Sequence, residues 1–68
     1  MVSSQRLPRS LADVLEGAGR RGETARETAE RRVVSVHTVK AQRREILRRL
    51  GARSITEAAS IAERERLF

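Results

Sequence analysis

His37 is the only histidine in the chain, and the residues around it decide what chemistry the sequence can offer. A histidine works as a general base or metal ligand only in company, with a nucleophile to activate, a carboxylate to orient it or further ligands. Here there is no cysteine, a single aspartate, and glutamates spread over helix-forming stretches. The glycine-rich run GAGRRG (17–22) would cradle a phosphate only after a strand, and none precedes it. These residues predict a protein that is not an enzyme and uses no cofactor or metal, with His37 on the surface. The chemistry the chain does offer is ionic recognition. Its net charge is +6, and the excess lies in one segment. Residues 1–30 hold five basic and five acidic side chains, and residues 54–68 hold two and three. Residues 31–53 hold eight basic residues (Arg31, Arg32, Lys40, Arg43, Arg44, Arg48, Arg49 and Arg53) against Glu45 alone.

A basic patch of this density is an electrostatic footprint for phosphate backbones or other anionic surfaces, because a merely solubilising surface intersperses both signs. Which polyanion follows from what else is present. Single-stranded and RNA-binding surfaces lean on aromatic stacking platforms, and the only aromatic here is Phe68. A helix lying on an anionic membrane needs bulky anchors such as Trp or Phe on its apolar side. No apolar run exceeds two or three residues, so neither a membrane span nor a signal-peptide core is expected. The expectation is a soluble, cytoplasmic protein facing duplex nucleic acid.

Four helices must position these charges, and no strand pattern interrupts them. Residues 1–6 are expected to be a flexible start. The first helix begins near Pro8 or Ser10, with Ser10 and Asp13 in a capping arrangement, and carries Leu11, Val14, Leu15 and Ala18 on one face. Its end is predicted at Ala18, because GAGRRG places three glycines in six residues. Thr24 and Glu27 form a capping box for the second helix, whose inward face, Ala25, Thr28, Ala29 and Arg32, is barely apolar. The third helix spans about 36–50, with Ser35 as N-cap and Gly51 at the left-handed C-terminal position. The fourth spans about 55–65, opened by Ser54 and Glu57 in another capping box. Leu67 and Phe68 are expected to close the core.

On a helical wheel the third helix divides in two. Val36, Val39, Ile46, Leu47 and Leu50 collect on one side, and His37, Lys40, Ala41, Arg44 and Arg48 on the other. Arg43 falls within the apolar side, where its long stem is expected to snorkel out to solvent. Glu45 flanks the basic arc. A helix of this kind fits the major groove of B-DNA, with the preceding helix crossing the phosphate backbone. The residues nearest the start of the helix reach base edges first, which selects His37, Lys40, Ala41 and Arg44. Arg48 and Arg49 fall nearer the backbone, and Ser35 and Thr38 can hold a phosphate at the helix N-terminus.

The stretch SVHTVKAQRREILRRLGARSITEAASIA (35–62) closely resembles the C-terminal DNA-binding domain of LuxR/GerE-type (NarL-like) regulators. The resemblance is carried by Ser35, by Thr38-Val39-Lys40, by Ile46-Leu47-Arg48-Arg49-Leu50-Gly51, and by Arg53-Ser54 with Glu57-Ala58. It implies a four-helix helix-turn-helix domain over residues 7–68, a third helix that enters the major groove, and a fourth that commonly provides a dimer contact. It implies Lys40, Ala41 and Arg44 at the bases, with Thr38 and Gln42 nearer the backbone. Ile55, Ala58, Ala59 and Ala62 form a small-residue face suited to close packing, within the fold or across a homodimer. Where the family has buried Ile and Leu, the second helix here has Thr28 and Arg32, so its seat is expected to be loose unless DNA or a partner supports it. The function expected is that of a small bacterial or phage transcription regulator, a stand-alone module that binds a specific duplex site as a dimer. The alternative is an interaction module that keeps the fold but binds RNA polymerase or another regulator.

Overall fold

Helix α3, Val36–Leu50, is the element against which the other three pack. In this computed structural model, which describes residues 6–67, it is joined by α1 (Arg9–Arg20), α2 (Ala25–Arg32) and α4 (Ile55–Glu65). Among the described residues the chain is all-α, as expected, and no helix is long and apolar enough to cross a membrane. Residues 1–5, expected to be flexible, and Phe68, expected to close the core, lie outside the described residues.

The core forms where the apolar stripes meet. Leu11, Val14 and Leu15 of α1 face Val39 and Ile46 of α3, and Ala58 and Ala62 of α4 complete the cluster with Leu7 and Leu67. Leu15, Ile46, Val14 and Val39 are fully buried, each side chain stabilising the fold by roughly 1.5–3 kcal/mol relative to exposure. The small residues of α4 let it lie close against both α1 and α3.

The first helix runs two residues further than predicted, through Gly17 and Gly19 to Arg20. Those glycines serve close approach rather than termination. A Cβ on Gly17 would collide with the Glu23 carboxylate and stand 2.9 Å from Arg31 Nη2, and one on Gly19 would collide with the Ala59 Cβ. The left-handed residue in this connection is Gly22, at φ 66°. Gly19→Ala therefore sets a helix-propensity benefit of about 1 kcal/mol against overpacking that costs about 1–3 kcal/mol. The α1–α4 contact is expected to lose, with thermal unfolding shifted to lower temperature. At the other end of α1 the predicted Ser10 cap does not form. Pro8 is the N-cap residue and makes no side-chain cap bond, its fixed φ suiting the start of the helix.

Helices α2, α3 and α4 end alike. Each closes on a residue in the left-handed region, and the next N–H reaches five residues back: Val34 to the Ala29 carbonyl, Ala52 to Leu47 and Leu67 to Ala62. Only α3 places glycine there, Gly51 at φ 64°; α2 uses Val33 at φ 58° and α4 uses Arg66 at φ 56°. A β-branched residue in this conformation carries steric strain. Val33 is also 87% exposed, so its side chain returns little packing. Val33→Gly is expected to stabilise the fold by about 1 kcal/mol, raising the melting temperature by about 4–8 °C in a domain of this size. A calorimetric melt checks this directly.

The second helix is not loosely seated, contrary to expectation. Its capping box is complete, with the Thr24 hydroxyl accepting from the Glu27 N–H at 3.1 Å and the Glu27 carboxylate accepting from the Thr24 N–H at 2.9 Å. Its inward face adds a polar clasp to the limited apolar contact of Ala25 and Ala29. Thr28 is fully buried and donates to Glu23 Oε1 at 2.8 Å. Arg31 donates to both Glu23 oxygens, at 2.7 and 3.0 Å, and to Asp13 Oδ2 of α1 at 3.1 Å. Arg32 pairs with Asp13 at 3.2 Å. Glu23 itself ties the three helices together. Its N–H donates to the Gly17 carbonyl at 3.0 Å, and its own carbonyl accepts from Arg43 Nη2 at 2.8 Å.

Candidate nucleic-acid interface

One side of α3 stays outside this packing. Val39 and Ile46 are buried, while His37, Lys40, Ala41, Arg44 and Arg48 are all exposed, so the two-sided division of the wheel is the division found. The helix is fixed at both ends. The Ser35 hydroxyl accepts from the Thr38 N–H at 3.1 Å and lies 3.0 Å from the Thr38 hydroxyl, and Gly51 closes the C-terminus. Ser35 and Thr38 are thus both exposed hydroxyls at the positive end of the helix dipole.

The basic segment is less free than its composition suggests. Arg31 and Arg32 are held by Glu23 and Asp13. Arg43 does not snorkel to solvent as expected. It turns inward to the Glu23 carbonyl, and its buried Nε finds no partner. Its bond fixes α3 against the loop that leads into α2. Glu45 takes Arg48 in a two-pronged grip, at 2.6 and 3.1 Å, and Arg49 at 2.8 Å. Hydrogen bonds from Arg48, and then from Arg49, hold the Glu45 carboxyl at about 2, and Glu45 in turn raises the Arg48 guanidinium.

Of the eight basic residues in 31–53, Lys40, Arg43, Arg44 and Arg53 make no ion pair among the described residues, and of these Arg43 is turned inward. Two of these, Lys40 and Arg44, stand one helical turn apart on the exposed arc, with Ala41 beside them. The smallest side chain of that arc leaves the backbone open to close approach. Gln42, expected nearer a DNA backbone, is half-buried and accepts from Arg32 Nη1 at 3.5 Å. The structure therefore brings His37, Lys40, Ala41 and Arg44 together and leaves them unencumbered, whereas Gln42, Arg48 and Arg49 have partners within the chain.

The face expected to offer a dimer contact is largely spent inside the fold. Ala58 and Ala62 are fully buried, and Ile55 and Ala59 are partly buried against the core. The exposed side of α4 is instead polar, with Thr56, Glu57, Ser60, Glu63 and Arg64. The capping box predicted at its start is half formed. The Ser54 hydroxyl accepts from the Glu57 N–H at 3.1 Å, but the Glu57 carboxylate accepts from the Arg53 N–H, one residue earlier.

Two carboxylates, Glu23 and Glu45, shape this surface, and they differ in how visible they are along the chain. Glu23 carries little local signal, because only Arg21 lies near it in sequence and its other partners, Gly17, Thr28, Arg31 and Arg43, lie in three different helices. The grip of Glu45 does carry one, since Arg48 and Arg49 follow it at i+3 and i+4, the separations that meet on a helix surface. Among the described residues, no group of His, Cys, Asp and Glu is placed to hold a metal ion. Comparisons with protein-family models, curated proteins and solved structures gave no match to this chain.

Proposed function

We propose that the chain is a sequence-specific duplex-DNA-binding module of the LuxR/GerE type, acting as a small transcription regulator of bacterial or phage kind. The observation that carries this reading is the exposed arc of α3, where Lys40 and Arg44 stand without ion pairs opposite a fully buried Val39 and Ile46. A helix seated by one side and basic on the other has the width and charge to enter a major groove. In this reading His37, Lys40, Ala41 and Arg44 meet base edges, Ser35 and Thr38 hold a phosphate beside the helix N-terminus, and α2 crosses the backbone. A pair of copies on an inverted repeat suits the geometry, with the exposed side of α4 rather than its alanines left for contact.

Affinity for duplex DNA measured across a salt series tests the reading. Binding through phosphates falls linearly on a logarithmic salt scale, and a specific site retains an advantage over random sequence. Affinity indifferent to salt, or equal for every duplex, counts against it. A second reading, an interaction module for RNA polymerase or another regulator, draws support from Val33 and Val34. They are exposed side by side at the turn between α2 and α3, where a protein partner would cover apolar surface. Under that reading Val33→Ser/Val34→Ser abolishes partner binding and Lys40→Ala/Arg44→Ala does not.

A further inference from the structure

The outer end of α3 carries two arginines that the sequence alone would assign to phosphates, and both are bound to a carboxylate of their own helix. Glu45 is the only acidic residue in the 31–53 segment. Its Oε2 accepts from Arg48 Nη2 at 2.6 Å and from Arg49 Nε at 2.8 Å, while Oε1 accepts from Arg48 Nε at 3.1 Å. Arg44 and Lys40, one and two turns before Arg48, have no such partner.

We propose that Glu45 is a specificity-determining residue that withholds Arg48 and Arg49 from phosphates, so that Lys40 and Arg44 dominate the choice of site. The inference rests on the DNA-binding reading above and goes beyond it. Sequence-independent affinity is set by the number of cations that displace counterions from phosphates, whereas discrimination comes from contacts to base edges. A carboxylate tethered three and four residues away occupies the same guanidinium donors that a phosphate would use. An incoming phosphate must displace it and then lie beside its negative charge. Lowering the first kind of affinity without touching the second widens the ratio between a specific site and random DNA. Arg48, at 72% side-chain exposure, is otherwise fully available.

The test compares salt dependence on a labelled random-sequence duplex for the full chain and its variants. Glu45→Gln frees two cations, so the slope of log affinity against log salt steepens by about 2, at about 0.9 for each additional phosphate bound. Affinity for random duplex rises with it, and the ratio of specific to random binding falls. Glu30→Gln is the control: Glu30 is exposed on α2, makes no ion pair among the described residues, and its loss changes the net charge equally while releasing no arginine. Its slope stays that of the parent. Arg48→Gln/Arg49→Gln leaves the parent slope almost unchanged and cancels the steepening in the Glu45→Gln background. The proposal is overturned if Glu45→Gln leaves the slope unaltered, if Glu30→Gln steepens it equally, or if Arg48→Gln/Arg49→Gln flattens the parent slope by about 2, since the arginines would then already hold phosphates. If the parent chain binds no duplex at any salt, the DNA-binding reading itself fails, a result distinct from these three.

Discussion

Lys40→Ala/Arg44→Ala is expected to erase preference for the target duplex while leaving the fold intact. Each bidentate base contact contributes about 1–3 kcal/mol of discrimination, so the pair together accounts for about 2–6 kcal/mol, or roughly 30-fold to 10⁴-fold in the ratio of specific to random affinity. The fold is insulated from the change. Both side chains are exposed, neither makes an ion pair among the described residues, and alanine is the strongest helix former. Circular dichroism and the melting temperature should match those of the parent. Affinity for random duplex should also fall, because two cations are lost, but by less than affinity for the target, which loses its base contacts as well. Retained site preference in the double variant would move recognition away from α3.

Glu23→Ala should produce the largest loss of stability from a polar substitution. The side chain is 13% exposed and supplies the acceptor for the buried Thr28 hydroxyl and for Arg31. Removing it strands a buried hydroxyl, which costs about 1–3 kcal/mol, and takes away one of the two carboxylates that hold Arg31. Stability of a domain this small lies near the low end of about 5–15 kcal/mol, so the melting temperature should fall by about 10 °C or more. The pH dependence distinguishes this mechanism from simple loss of packing. Hydrogen bonds from Arg31, reinforced by Thr28 and Arg21, hold the Glu23 carboxyl at about 2 instead of 4.5. A carboxyl with a depressed folded pKa stabilises the fold above its unfolded value, and that contribution is lost as pH falls from about 4.5 toward 2. Unfolding free energies of the parent should therefore drop across this window, and those of Glu23→Gln should drop less. The Glu45 carboxyl sits equally low, but its partners belong to the same helix and it remains in both proteins, so it cancels from the comparison.

Helices α3 and α4 are legible in the sequence almost to the residue, because capping side chains, apolar spacing and Gly51 agree there. The exposed arc of His37, Lys40, Ala41 and Arg44 follows from the same periodicity. What is not legible depends on contacts between elements. Gly17 and Gly19 read as a helix stop, yet the helix runs through them, and their missing side chains leave room for Glu23 and Arg31 and for Ala59 of α4. The left-handed turn at Val33 carries no glycine or asparagine to announce it. Thr28 and Arg32 read as a weakened seat for α2, when Glu23 and Asp13 convert the same positions into a clasp. Local chemistry can be read along a chain, but a polar network spanning three helices exists only once they are assembled. That network also explains why the basic segment counted from the sequence overstates the charge that a partner meets.

The most direct test is selection of bound fragments from a pool of genomic duplex DNA, followed by sequencing. A module that reads bases through His37, Lys40, Ala41 and Arg44 should enrich a short shared motif, and a paired module should enrich it as an inverted repeat with half-sites about one helical turn apart. The Lys40→Ala/Arg44→Ala variant should enrich no motif from the same pool. Fragments recovered from the parent chain without any shared motif, or no recovery above background at low salt, would contradict the assignment of α3 as a recognition helix.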